Sequence, residues 1–163
     1  MKRIIIHWTA GTYTANDTDL EHYHYLIDGN GNVIKGKYKP EDNDNVTIGH
    51  YAAHTGGGNT GSIGIAMCGM FGFKNSKQVG AFPLTKVQCE RCFFLIAELA
   101  HKYNININNE TVMTHYEFGL KNPKTSSAGK IDIVYLPPYG DIEQNKIGGF
   151  IRSKAIWYSA AYK

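Results

Sequence analysis

The sequence predicts a mixed α/β domain, a central sheet with helices packed on it, and three stretches carry that prediction. Ile4-Ile5-Ile6 is a β-branched run of the kind buried on both faces of a central strand. Tyr23 to Asp28 and Asn32 to Lys37 are two strand-like runs around Gly29-Asn30-Gly31, the pattern of a hairpin. Thr85-Lys86-Val87-Gln88 opens an amphipathic helix, with Thr85 as N-cap and Gln88 closing a capping box. Val87, Cys92, Ile96, Leu99 and Tyr103, with Phe93 and Ala100 beside them, form its apolar face through to Asn104.

The 163 residues suffice for one domain with its own core, and no repeat, low-complexity linker or second module divides them. A hydrophobic content of 42% with 19% charged residues is that of an ordinary soluble globular protein. The net charge of +3 suits contact with an anionic polymer without singling one out. No apolar run approaches the roughly 20 residues that span a bilayer, so membrane insertion is not expected. Lys2-Arg3 before Ile4–Ile6 has the look of a signal peptide, but His7 and Trp8 end the apolar run. Cytoplasmic synthesis without a signal peptide is therefore expected. Cys68, Cys89 and Cys92 are an odd number and fit a reducing compartment. Cys89 and Cys92 lie inside the helix with no second pair elsewhere, which favours core thiols over a zinc or redox site.

His7 closes the first strand, a position where a histidine reads by default as structural. Thr12 to Leu20 is polar and turn-like, offering at most one helical turn. His22 and His24 share one face of the first hairpin strand and Tyr23 takes the other. A second metal pair there competes with the simpler reading of two polar side chains on a half-exposed face. Lys39 to Asn45 reads as surface loop. Ala52 to Gly61 is glycine-rich but lacks the Lys-Ser/Thr ending of a phosphate-binding loop. Nucleotide binding is rejected, and nucleic acid is not an expected partner. Ser62 to Cys68 is another buried strand, whose small residues let backbone or substrate come close. Thr111-Val112-Met113 is a strand that delivers His115, and a polar loop over 121–129 follows. Lys130 and Asp132, two apart, point to one side if that segment is extended. Leu136 to Asp141 is a rigid loop, and Gly149 to Tyr162 a terminal helix packing Phe150, Ile151, Ala155, Trp157 and Tyr158. Imidazoles and carboxylates are ordinary zinc donors, and a catalytic zinc site takes three protein ligands and keeps one position open.

Four motifs, in order, resemble the type 2 N-acetylmuramoyl-L-alanine amidases, a superfamily that includes phage lysozyme-amidases and peptidoglycan recognition proteins. They are Ile6-His7-Trp8-Thr9-Ala10, Tyr23-His24-Tyr25-Leu26-Ile27 with its hairpin, His54 through Gly69, and His115 with Lys130-Ile131-Asp132. The likeness covers roughly residues 3–135. It implies an amidase-like fold with a zinc site at the strand tips, held by His7, His115 and Asp132. It further implies Lys130 as the cation facing the transition state, Tyr23 as the partner of the attacking water, and His54, Asn59 and Thr60 as substrate-binding residues. The implied substrate is bacterial peptidoglycan and its muropeptides, cut between N-acetylmuramic acid and L-alanine. Zinc in such a site lowers the pKa of its water to roughly 7 and polarises the carbonyl. A phage-type endolysin, reaching the wall by release or export, is the implied setting; oligomeric state stays open. The rival is a non-catalytic peptidoglycan-binding domain on the same fold, which loss of the third ligand would mark. Two departures stand out: only Thr12 to His22 remains where relatives carry a full helix, which should open the groove, and 121–129 is longer than in compact relatives. The strand over 62–68 offers no carboxylate, which throws weight onto Tyr23.

Overall fold

In the computed structural model, which describes residues 1–162, the triple isoleucine lies in strand β1 (Arg3–Trp8). Ile4, Ile5 and Ile6 are all fully buried, as a strand with partners on both edges and cover on both faces requires. Its neighbours are the parallel strands β4 (Ser62–Met67) and β5 (Val112–Thr114). The hairpin strands β2 (Tyr25–Ile27) and β3 (Val33–Lys35) pair antiparallel and complete a five-stranded mixed sheet of order β3-β2-β4-β1-β5.

Strand alternation divides β1 between two faces. Ile4, Ile6 and Trp8 enter the main core, which is covered by α2 (Lys86–Lys102) and α4 (Ile147–Ser159). Ile5 points to the other face, where it meets Met113 and Phe118, the latter on the short helix α3 (His115–Lys121). Leu26, Ala66 and Cys68 continue that second face beneath Leu20 of α1 (Asp17–His22) and Tyr23. His7 belongs to it as well, so the site forms on the side of the sheet away from the two long helices.

The capping box expected at Thr85 is present, and Gln88 does more than cap. It is fully buried, and its side-chain amide donates to the carbonyls of Ile27 and Cys68, tying α2 to the ends of β2 and β4. Helix α4 is docked on α2 by Lys154 and Tyr158, both of which reach Glu90, at 2.9 and 2.6 Å. Arg152 clamps Glu117 of α3 with two hydrogen bonds of 3.0 and 3.1 Å. The three thiols are buried and unpaired, and burial pushes those of Cys68 and Cys92 up to about 12. They stay protonated, which removes them as thiolate ligands.

Several expectations need correction. Helix α1 reaches His22, so His22 and His24 do not share a strand face. Residues Pro40–Asp44 form a 3-10 helix rather than a surface loop, because fully buried Asn43 anchors it. Its side chain bonds the backbone of Ala52 and Asn59 and the ring of His24. Val87 and Trp157, expected to pack, are 56% and 69% exposed, since each lies on the solvent side of its helix. Asn104 falls beyond the end of α2, and α4 begins at Ile147 rather than Gly149. His115 follows β5 directly, as expected, and it also opens α3, with Thr114 as N-cap and Glu117 closing a second capping box. Lys130 to Asp132 is not extended, because the chain turns at Asp132 and Ile133.

Candidate metal centre

Two parallel strands bring the histidines together. Ile6 pairs with Thr114 in the β1–β5 register, so His7 and His115 are each the next residue on adjacent strands running the same way. Asp132 arrives from the turn that follows Lys130. Ile133 there adopts φ 69°, a conformation that costs a β-branched residue energy. That turn buries Ile133 in the main core while Asp132 stays at the site.

The three donor atoms form a tight triangle. His7 Nδ1 lies 3.1 Å from His115 Nδ1 and 3.1 Å from Asp132 Oδ2, and His115 Nδ1 lies 3.3 Å from the same oxygen. Two backbone carbonyls decide where the ring protons are, because a carbonyl can only accept. His54 Nε2 is 3.2 Å from the carbonyl of Ser62, so it carries that ring's proton and leaves His54 Nδ1 an acceptor. Burial lowers the His54 pKa well below its usual value and keeps the ring neutral. His7 Nε2, 3.2 Å from His54 Nδ1, must then be the donor. On the other side the Ser127 hydroxyl donates to the Gly56 carbonyl at 2.7 Å. Ser127 Oγ therefore accepts from His115 Nε2 at 3.0 Å. Both histidines spend their protons on Nε2, so two lone pairs and a carboxylate oxygen meet with no hydrogen between them. A cation satisfies all three at once, and His₂Asp is a zinc donor set.

Electrostatics keep the ligands in their binding forms. Burial lowers the His7 pKa to about 4, against the opposing pull of Asp132, so the imidazole is neutral at pH 7.

The triangle opens onto a cavity of about 660 Å³, whose walls include Tyr23, Phe73, Lys130 and Ile131. Three candidate donors facing an open cavity would leave a bound metal ion a free position on the cavity side. The Tyr23 ring lies 5.1 Å from that of His7, and its hydroxyl has no hydrogen-bond partner among the described residues. Burial, and then the charge of Asp132, raise the phenol's pKa, so it stays protonated and acts as a donor, not a base. Lys130 is exposed on the cavity wall, and among the described residues no carboxylate pairs with it. It reaches the cavity from a turn, not from an extended segment.

The residues expected to bind substrate divide differently. Thr60 is exposed, contributes nothing to the cavity wall, and instead accepts Arg3 on its carbonyl. Asn59 touches the cavity, but its side-chain oxygen is held by the backbone N–H groups of His54 and Thr55 at 2.9 and 2.8 Å. His54 is 6% exposed, and its ring is engaged with His7 and Ser62. His22 and His24 form no second metal pair: His22 bonds the Ala53 carbonyl, and His24, 1% exposed, bridges Asn43 and the Gly64 N–H. Sequence reasoning missed Ser127 and Thr55, since a serine among Thr125-Ser126-Ser127 looks like any loop residue.

Residues 1–130 match the family model described as N-acetylmuramoyl-L-alanine amidase. No curated protein matches the chain. Similar solved structures include the Ph2119 endolysin from the Thermus scotoductus bacteriophage Ph2119, at 17% identity and TM-score 0.54, over 94% of this chain and 83% of that one. The E90A mutant of PlyL matches at 21% identity and TM-score 0.53, covering 95% and 84% of the two chains. Bumblebee PGRP-SA matches at 18% identity and TM-score 0.53, covering 90% and 80%. At these identities the structures attest the fold. The family model spans most of the chain and takes in His7, Tyr23, His115 and Lys130, while Asp132 joins them by geometry just past its end; the chain belongs to the N-acetylmuramoyl-L-alanine amidase family.

Proposed function

We propose that this protein is a zinc-dependent hydrolase that cuts the amide between N-acetylmuramic acid and L-alanine in bacterial peptidoglycan. The observation that carries the reading is the triangle of His7 Nδ1, His115 Nδ1 and Asp132 Oδ2 at the floor of an open cavity. Zinc, when bound, supplies Lewis acidity, making water nucleophilic near neutral pH and polarising a carbonyl. The chain's own groups do the rest. Tyr23 donates its phenolic hydrogen toward the attacking water or the developing oxyanion. Lys130 brings a positive charge to the same oxyanion, and one such donor is typically worth about 3 kcal/mol. His7 and His115 stay correctly turned through their Nε2 partners. A non-catalytic wall-binding domain would need neither a third ligand at 132 nor a free ammonium beside it.

The test is digestion of purified sacculi by zinc-loaded protein, with fragments identified by mass spectrometry. Free stem peptides with an L-alanine amino terminus, and no new reducing sugar ends, are expected. Chelator-free protein should hold about one zinc per chain, as three protein ligands with one open position bind a single ion. New reducing ends with intact lactyl amides would overturn the reading, as would muropeptide binding without any cleavage. A fall in the turbidity of whole-wall suspensions would extend the reading to the lytic role of an endolysin.

A further inference from the structure

The glycine-rich stretch from His54 to Ser62 resembles a nucleotide loop by composition and a substrate loop by family likeness, yet its polar groups turn inward. We infer that it is the outer shell of the metal centre, orienting both histidine ligands, and that His54 and Ser127 are positioning residues rather than substrate-binding ones. The inference rests on the metal-site reading above and concerns what holds the ligands in place.

Two separate chains of hydrogen bonds support it, and both end on this stretch. The first runs from His7 Nε2 to His54 Nδ1 at 3.2 Å, and from His54 Nε2 to the Ser62 carbonyl at 3.2 Å. Thr55 Oγ1 offers a parallel route between the two rings, its hydroxyl placed to accept from His7 Nε2 at 3.3 Å while donating to His54 Nδ1 at 2.7 Å. The second runs from His115 Nε2 to Ser127 Oγ at 3.0 Å, and from that hydroxyl to the Gly56 carbonyl at 2.7 Å. His7, His54, Ser62 and Ser127 are at most 6% exposed, so water cannot take over these bonds. One loop therefore sets the tautomer of two ligands that lie far apart in the chain.

The loop's glycines make the approach possible. A Cβ on Gly64 would lie 2.5 Å from the His54 ring, so the strand glycine leaves the space that ring occupies. A Cβ on Gly56 would fall 1.7 Å from Ser126 Oγ, and one on Gly57 2.4 Å from a Thr125 carbon. Bulk at either position would force apart the two loops that the Ser127–Gly56 bond joins. The small residues at these positions serve close contact between protein segments.

The experiment is zinc affinity, measured by competition with a chromophoric chelator at fixed pH. Ser127→Ala removes the acceptor for His115, and His54→Leu removes the main acceptor for His7. Each should weaken zinc binding about 10-fold or more, the usual effect of losing such a partner. His54→Asn keeps an acceptor near the position of Nδ1 and should recover part of the loss, which a purely packing role for the ring would not predict. Zinc binding within twofold of the unsubstituted protein in both Ser127→Ala and His54→Leu would overturn the inference. Imidazole ¹⁵N spectra of the zinc-loaded unsubstituted protein provide a check that needs no variant. Ligation through Nδ1 with a proton on Nε2 is expected for both rings, and ligation of either through Nε2 would overturn it. If the unsubstituted protein takes up no zinc at all, the metal reading falls, and this inference falls with it.

Discussion

Tyr23 and Lys130 face one cavity with different chemistry, and single substitutions separate their roles. Tyr23→Phe deletes one hydroxyl and keeps a ring that also packs against the Leu26, Ala66 and Cys68 cluster. Turnover should fall at least ~10-fold, with zinc content and Tm unchanged. Turnover within about twofold would make Tyr23 a packing residue. Lys130 is exposed and ligates nothing, so Lys130→Ala should keep zinc and muropeptide affinity while turnover falls about 100-fold. A loss confined to affinity would make it a groove residue instead. His24 carries the clearest pH dependence. Its ring is 1% exposed, accepts the Gly64 N–H on Nδ1 and donates to Asn43 through Nε2, so the fold holds it neutral. Burial, against the opposing Asn43 bond, lowers its pKa to about 4. An unfolded chain takes up that proton near 6.5, the folded one only near 4. Stability is therefore lost as pH falls through that window, by about 3 kcal/mol from this group. Thermal melts of His24→Gln should show a correspondingly shallower decline between pH 7 and 4 than the unsubstituted protein; equal slopes would assign the titration elsewhere.

At the scale of elements, helix α2 is coupled to the sheet through one polar side chain in an otherwise apolar interface. Gln88 satisfies the carbonyls of Ile27 and Cys68 and, through its oxygen, the Thr85 N–H. Gln88→Leu fills much the same volume but leaves two buried carbonyls without a donor, which should cost about 2 kcal/mol or more. The urea midpoint should fall with an unchanged m-value, and an unshifted midpoint would mean that water reaches those carbonyls. Capping boxes were the most readable element signals. Thr85 and Gln88 announced α2, and the same spacing, Thr114 to Glu117, announced α3. At Thr114 that signal overlaps Val112-Met113-Thr114, a stretch with the character of a buried strand, and both hold because the strand ends on the helix's own N-cap.

For the molecule as a whole, the family match ends at residue 130, yet the fold does not. Ile147, Ile151 and Ala155 of α4 belong to the main core, and Arg152 ties α4 to α3 through Glu117 and to β5 through the Val112 carbonyl. Each buried isoleucine is worth roughly 2 kcal/mol, against a total stability on the order of 10 kcal/mol for a domain. A chain ending at Lys146 should therefore lose most of its stability, seen as a collapse of the cooperative thermal transition in circular dichroism. A truncated chain that melts within a few degrees of the full one would show α4 to be an accessory.

What the sequence by itself determined is what short-range interactions govern. The buried β1 run, the hairpin around Gly29-Asn30-Gly31 and the capped α2 follow from side-chain periodicity, turn chemistry and capping within a few residues. It also supplied the residue types of the centre, and the family motifs singled out His7, His115 and Asp132. Only the tertiary structure decided how they meet. The adjacency of His7 and His115 depends on the parallel register of Ile6 with Thr114, between strands about a hundred residues apart, and no local signal encodes a parallel register. The place of Asp132 depends on a left-handed turn at Ile133 that burial in the core must sustain. The direction of both imidazoles depends on carbonyls of a distant loop, and a backbone carbonyl leaves no mark on the sequence.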